Sequence, residues 1–238
     1  MTLGWPSALW LVRHGESVGN AAAAEARRRG LEVIDIGPRD ADVDLTERGE
    51  TQAGAVGRWL AALPGDHRPE VALVSPYLRA RRTASLALEG LGGTVPVRLD
   101  ERLRDRELGV LDRLTARGIA VRQPDEAAAR RRLGKFYHRP AGGESWADVL
   151  LRLRSALTDI RGDHAGRRVL VVAHDVVVVL FRYLLEGLDE ARVLEISGQA
   201  APVNCGVTYY QLHEREGLVL RHYNTVIDPD GRLERAEA

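Results

Sequence analysis

Leu11-Val12-Arg13-His14-Gly15-Glu16-Ser17 says more about this 238-residue chain than any other short stretch. The apolar run Ala8 to Val12 predicts a buried strand, and it stops at a cation, an imidazole and a glycine. Ligands of α/β folds bind outside the carboxyl ends of strands. Arg13 and His14 therefore stand where such a fold places its chemistry. Gly15 permits a tight exit from the strand. A neutral imidazole is a competent nucleophile near neutral pH. The neighbouring arginine points to an anionic electrophile, most simply a phosphate. One such triplet is equally compatible with a solvated surface turn, so the other strand ends have to be read before it means anything.

After Ser17, residues 18–30 read as an Ala- and Arg-rich helix, and 31–44 as a polar, acidic loop. Thr46 is a suitable N-cap for a helix running to about Leu63, which Pro64-Gly65 ends. Glu70 to Val74 reads as a second buried strand. Ser75-Pro76 then opens a helix with proline in its first turn, carrying Arg79, Arg81 and Arg82. Val95 to Leu99 is a weaker third strand. Residues 100–143 are charge-dense and rich in glycine and proline, an excursion with one helix at about Asp125 to Leu133. Leu150, Leu153, Ala156, Leu157 and Ile160 recur at helical spacing and mark the core face of the next helix. Val169 to Ala173 is apolar throughout, as in a strand covered on both faces, and His174 terminates it. An apolar helix follows from Val176 to Leu185, with Asp175 read as its N-cap. Pro202 to Leu212 and Leu218 to Tyr223 read as two late strands, a hairpin around Glu214 to Gly217. The last dozen residues are polar and expected to fray. Strands alternating with helices predict an α/β fold, a three-layer αβα sandwich with a mostly parallel central sheet. The whole of 1–238 reads as one domain, with a substrate-covering excursion at about 104–143.

Composition narrows the function. The net charge is zero, so nothing argues for nonspecific binding to nucleic acid or to a membrane surface. Of the 34 basic residues only Lys135 is a lysine. Cys205 is the single cysteine, so no internal disulfide can form, which fits a reducing compartment. No signal-peptide pattern or membrane-length apolar run is present. These features together predict a soluble, cytoplasmic protein. His67, His164, His213 and His222 show no metal-ligand spacing, and no metal or cofactor is expected.

Three strand ends carry polar groups: Arg13-His14, then Arg79 one turn beyond the second strand, then His174. In parallel, adjacent strands these groups converge on one crevice. Arginines and a second histidine can hold the non-bridging oxygens of a phosphoryl group while His14 attacks phosphorus in line. Phosphoryl transfer is mostly positioning and charge stabilisation.

The ordered set of motifs resembles the histidine phosphatase superfamily, the phosphoglycerate-mutase-like proteins. The elements are Arg13-His14-Gly15-Glu16-Ser17 with Asn20, Leu45-Thr46-Glu47-Arg48-Gly49 with Gln52-Ala53, and Ser75-Pro76 with Arg79 and Arg82-Thr83-Ala84. Gly142-Gly143-Glu144-Ser145 and Val172-Ala173-His174 complete it, and the match spans about Leu11 to Thr208. The resemblance implies a phosphohistidine on His14. It implies a phosphate pocket of Arg13, Arg79 and His174 with Asn20 as a further contact. It also implies an acid in Leu103-Arg104-Asp105-Arg106-Glu107-Leu108-Gly109. Such proteins usually have glutamate where Asp105 stands. Asp105 is chosen as proton donor, with Glu107, two residues on, as competitor. Many relatives have glycine in place of Asp175. In the excursion, Phe136, Tyr137, His138 and Arg139 offer stacking surface and charge. Tyr137, Arg139 and Glu144 are taken as substrate-binding.

The expected activity is metal-independent hydrolysis of a small phosphomonoester. A bisphosphoglycerate-dependent mutase ranks second, because Leu111-Asp112-Arg113-Leu114-Thr115 lacks the lysine that mutases of this kind carry there. A catalytically weak phospho-ligand-binding relative ranks third. A metallohydrolase is disfavoured because His14 adjoins arginine. Oligomeric state is left open, although relatives are often homodimers.

Overall fold

The computed structural model describes residues 4–91 and 95–233. Its core is a six-stranded sheet in the order β3-β2-β4-β1-β5-β6. The strands are β1 (Ala8–Arg13), β2 (Val71–Val74), β3 (Val97–Leu99), β4 (Arg168–Ala173), β5 (Val207–His213) and β6 (Gly217–Thr225). The pairs β1–β4, β4–β2 and β2–β3 are parallel, and β5 is antiparallel to both β1 and β6. The sheet is thus mostly parallel, as expected.

Side chains alternate across it, and both faces are covered. Leu9, Leu11, Val169 and Val171 face α6 (Trp146–Asp163), α7 (Asp175–Glu186) and α8 (Glu190–Gln199) in one continuous apolar cluster. Trp10, Val12, Leu170 and Val172 face α2 (Glu47–Ala62) and α3 (Leu78–Leu88) in a second. β4 is buried from Val169 to Ala173, which explains its unbroken apolar sequence. Each fully buried Leu or Val contributes about 1.5–3 kcal/mol of burial free energy, so this strand anchors the central sheet.

Several local expectations need correcting. Pro76 does not open α3, which begins at Leu78 with Tyr77 as N-cap. Asp175 is not the cap of α7. His174 holds that position with extended backbone, and Asp175 is the first helical residue, accepting from the Val176 N–H at 2.7 Å. The excursion holds two helices rather than one, α4 (Ala116–Arg122) and α5 (Pro124–Tyr137). α8 adds a helix that the expectations did not include, with Val193 and Ile196 buried on one face. β5 starts at Val207 rather than Pro202. Cys205, with φ 55°, breaks the extended chain, and 202–206 becomes a loop against β1. Residues 227–233 are held by a bridge between Ile227 and Leu233. The expectation of fraying beyond them lies outside the described residues. α1 (Val18–Arg28) follows the first motif directly, with a capping box between Ser17 and Asn20. No described helix is long and apolar enough to cross a membrane.

Candidate active site

The order β2-β4-β1 puts three strand ends side by side. The His14 N–H donates to the Ala173 carbonyl at 2.9 Å, extending the β1–β4 ladder by one residue. The Ser75 N–H does the same to Val172 across β2–β4. His174 therefore sits between Ser75 and His14, and its Nε2 lies 2.8 Å from Ser75 Oγ. The two imidazoles meet edge to face, with centroids 5.2 Å apart. Both are buried.

The turn after His14 is clamped by the second motif. A Cβ on Gly15 would stand 2.5 Å from the Gly49 carbonyl oxygen, and one on Gly49 only 2.0 Å from that of Glu16. Both positions are glycine because two backbones touch there, rather than because of a tight exit from the strand. The Glu16 N–H donates to Gln52 Oε1 at 2.9 Å, the Thr46 N–H to the Glu16 carbonyl at 2.9 Å, and the Gly15 N–H to Thr83 Oγ1 at 3.0 Å. Thr46 caps α2 as expected. These neighbouring motif residues thus fix the backbone around His14.

His14 Nδ1 lies 2.7 Å from the Gly15 carbonyl oxygen. An oxygen there requires the proton on Nδ1, which leaves Nε2 unprotonated and an acceptor. Arg79 Nε is 3.2 Å from that Nε2. Burial, assisted by His174, Arg79 and Arg13, pushes the His14 pKa well below the usual imidazole range. The ring is therefore neutral and nucleophilic at neutral pH.

Arg79 enters from the first turn of α3. Besides His14 it holds two carboxylates. Its two terminal nitrogens bond Asp40 Oδ1 and Oδ2 at 3.1 Å, and one of them donates to Asp105 Oδ2 at 3.0 Å. That Asp105 oxygen is also 3.2 Å from His174 Nδ1. Burial alone would raise the Asp105 pKa. The charges of His174 and Arg79 override it and hold the carboxyl well below its usual range. Arg13 donates to the Pro202 carbonyl at 2.8 Å, while its Nε is buried with no partner among the described residues. Asn20 spends its Oδ1 on the Ser17 N–H and on Asn204 Nδ2. Arg13, His14, Arg79, His174 and Asp105 are thus brought to one place, with Asn20 linked to it through Asn204.

Glu107 accepts from the Tyr77 hydroxyl at 2.7 Å and lines the adjoining cavity. Glu144 is turned away, its carboxylate gripped by Arg104 at 2.7 Å and Arg152 at 3.0 Å. Tyr137 bonds Glu190 and Arg139 pairs with Asp148, both on the exposed surface. None of Tyr137, Arg139 and Glu144 lines the cavity. His138 is buried against Glu126.

Two residues of the site had no sequence signal. Asp40, in the acidic loop, is indistinguishable from its neighbours until its carboxylate is seen on Arg79. Asn204, in the loop before β5, donates to the His14 carbonyl at 3.0 Å. Beside the five groups lies a cavity of about 410 Å³. Asp40 and Asp105 line it, as do Glu107, Trp146, Val179 and Lys135.

Residues 9–225 match the histidine phosphatase superfamily (branch 1). A 2,3-bisphosphoglycerate-dependent phosphoglycerate mutase of Methylobacterium radiotolerans is 35% identical over 191 residues, covering 79% of this chain and 83% of that one. A probable phosphoglycerate mutase of Cronobacter sakazakii is 34% identical, covering 70% and 68%. Among solved structures, a mycobacterial glucosyl-3-phosphoglycerate phosphatase complexed with VO3 superposes with a TM-score of 0.69 at 26% identity, over 92% of this chain and 98% of that one. An α-ribazole phosphatase of Shigella flexneri, at 20% identity and a TM-score of 0.74 over 92% and 96%, shares the fold. Strand order, site geometry and these likenesses agree: this chain is a phosphatase-type enzyme belonging to the histidine phosphatase superfamily, branch 1.

Proposed function

We propose that the protein hydrolyses a phosphomonoester, without a metal, through a phosphohistidine on His14. The observation that carries this is the neutral, buried His14 with its Nε2 lone pair facing Arg79. The substrate phosphoryl group takes the place that the Asp40 carboxylate occupies on Arg79, and adds Arg13, His174 and the Asn20 amide as donors. His14 Nε2 forms a bond to phosphorus as the ester P–O bond breaks. Asp105, protonated in the complex, delivers its proton to the leaving oxygen. Water then attacks phosphorus, its proton returns to Asp105, and the N–P bond breaks to release phosphate.

Asp105 is ionised in the free site, so it has to gain its proton with the substrate. An incoming phosphoryl group draws Arg79 and His174 onto itself and adds negative charge beside the carboxylate. Both effects raise the Asp105 pKa. Glu107 is the weaker candidate because Tyr77 holds it and no cation of the phosphate pocket touches it. A second reading, mutase activity, is favoured by the names of the relatives and is tested by interconversion of 2- and 3-phosphoglycerate. A soluble, cytoplasmic setting and a small phosphorylated substrate belong to the same proposal.

The test pairs two variants with two esters. His14→Ala should abolish turnover of both p-nitrophenyl phosphate and an alkyl phosphate. Asp105→Asn should lower kcat/KM on the alkyl ester, which reports the step that expels the leaving group, by about 10²–10⁴-fold. It should cost far less on the nitrophenyl ester, whose leaving group needs no proton. Full activity in His14→Ala, or equal losses on both esters in Asp105→Asn, contradicts the assignment.

A further inference from the structure

Arg113 carries φ 57°, a backbone conformation that strains an arginine and would leave glycine unstrained. Its side chain shows what that conformation achieves. One terminal nitrogen donates to the Ile36 carbonyl at 2.8 Å and the other to the Pro38 carbonyl at 2.7 Å. Both carbonyls lie in the acidic loop, just before Asp40. The backbone continues the same contact. The Ile34 N–H donates to the Arg113 carbonyl at 2.8 Å, the Thr115 N–H donates to the Glu32 carbonyl at 3.0 Å, and Val33 bridges Leu114. Arg122 pairs with Glu32 at 2.9 Å. The loop is thus joined to the excursion from Glu32 to Pro38.

That junction ends where Asp40 meets Arg79. The carboxylate takes both terminal nitrogens of Arg79, and the Asp40 carbonyl accepts from one of them at 2.5 Å. The Asp40 side chain is 44% exposed, so the ion pair by itself is weak. Tethering compensates. A carboxylate confined beside Arg79 competes at a high effective concentration, which falls when the tether slackens. Arg113 is the side chain that holds the tether, and its Nε lies 3.8 Å from Asp112, which lines the cavity.

We infer that Arg113 is a positioning residue for phosphate exchange: by holding the 32–40 loop it aims Asp40 at Arg79 as an internal competitor of the phosphoryl group. The competition weakens initial binding and eases the departure of inorganic phosphate. This rests on the reading above that Arg79 binds the phosphoryl group, and Arg113 acts only through Asp40.

Titration calorimetry of inorganic phosphate with the purified full chain tests this independently of turnover. Arg113→Gly takes φ 57° without strain and Arg113→Asn tolerates it, so both lose the carbonyl bonds while sparing the backbone. Each should lower the phosphate dissociation constant about two- to fivefold, as Asp40→Asn does. When Arg113→Gly is combined with Asp40→Asn, the constant should stay where Asp40→Asn alone puts it, because the loop then has no carboxylate to aim. A residue that merely braces the fold would weaken phosphate binding, or shift it equally with and without Asp40. Either result overturns the inference, and so does an unchanged constant in the Arg113 variants. If phosphate binds in this pattern but no phosphomonoester is hydrolysed, the phosphatase reading has failed and this inference stands. A wild type and an Asp40→Asn variant that both bind no phosphate at millimolar concentration would overturn it together with the phosphate pocket.

Discussion

Asp40 puts a carboxylate where a phosphoryl group is expected to go. Both of its oxygens and its carbonyl meet Arg79, yet its own side chain is nearly half exposed. Substrate has to displace it, so Asp40→Asn should tighten inhibition by inorganic phosphate about two- to fivefold, the scale of a partly solvated ion pair. Weaker inhibition would mean that Asp40 assists binding instead. The two shifted pKa values also set a pH profile. His14 must be neutral, and its pKa is depressed, so the acid limb lies well below the usual imidazole value of 6.5. Asp105 is ionised in the free enzyme, so the productive complex needs one proton from the ester or the solvent. An ester dianion forms above its second pKa of about 6, and kcat/KM should fall as pH rises beyond it. Steady-state profiles from pH 4 to 9 measure this. A rate that climbs through neutral pH would contradict the assigned protonation states.

At the scale of elements, His14 is held by contacts between strands and helix starts rather than by its own turn. β1 delivers His14, β4 delivers His174, and the start of α2 braces the turn through Thr46, Gly49 and Gln52. Gly49 has less room than Gly15, because a Cβ there would sit 2.0 Å from the Glu16 carbonyl oxygen. Gly49→Ala has to push the 14–16 turn away from α2. It should lower kcat/KM about 10²-fold, as expected for a displacement near 1 Å at a reacting group, and reduce Tm as well. An alanine variant with wild-type kinetics would show that the clamp does not position His14. The first motif and the second are far apart in sequence, and this contact is the physical reason they occur together.

For the molecule as a whole, the sequence was legible where one force dominates. Buried parallel strands need unbroken apolar runs, so β1, β2 and β4 and the polar residues ending them could be read directly. The convergence of Arg13, His14, Arg79 and His174 then followed from strand adjacency. What could not be read depends on tertiary contacts that leave no local pattern. Asp175 looks like a cap, but His174 already holds the extended cap position. Glu144 and Arg139 look like substrate contacts, but Arg152 and Asp148 claim them from α6. Asn204 sits in a loop with no local pattern to mark it, and its place depends on the His14 carbonyl and Asn20 that it meets. Even so, the αβα architecture and the meeting of His14, Arg79 and His174 were present in the order of the motifs.

Everything proposed for the reaction stands on covalent phosphorylation of His14. Rapid mixing with a labelled phosphomonoester, an alkaline quench that preserves phosphohistidine, and mass-spectrometric mapping test it most directly. The account predicts one phosphoryl group on the peptide containing His14, formed at least as fast as kcat and absent from His14→Ala. Turnover with no labelled intermediate, or with the label on any other residue, would contradict it.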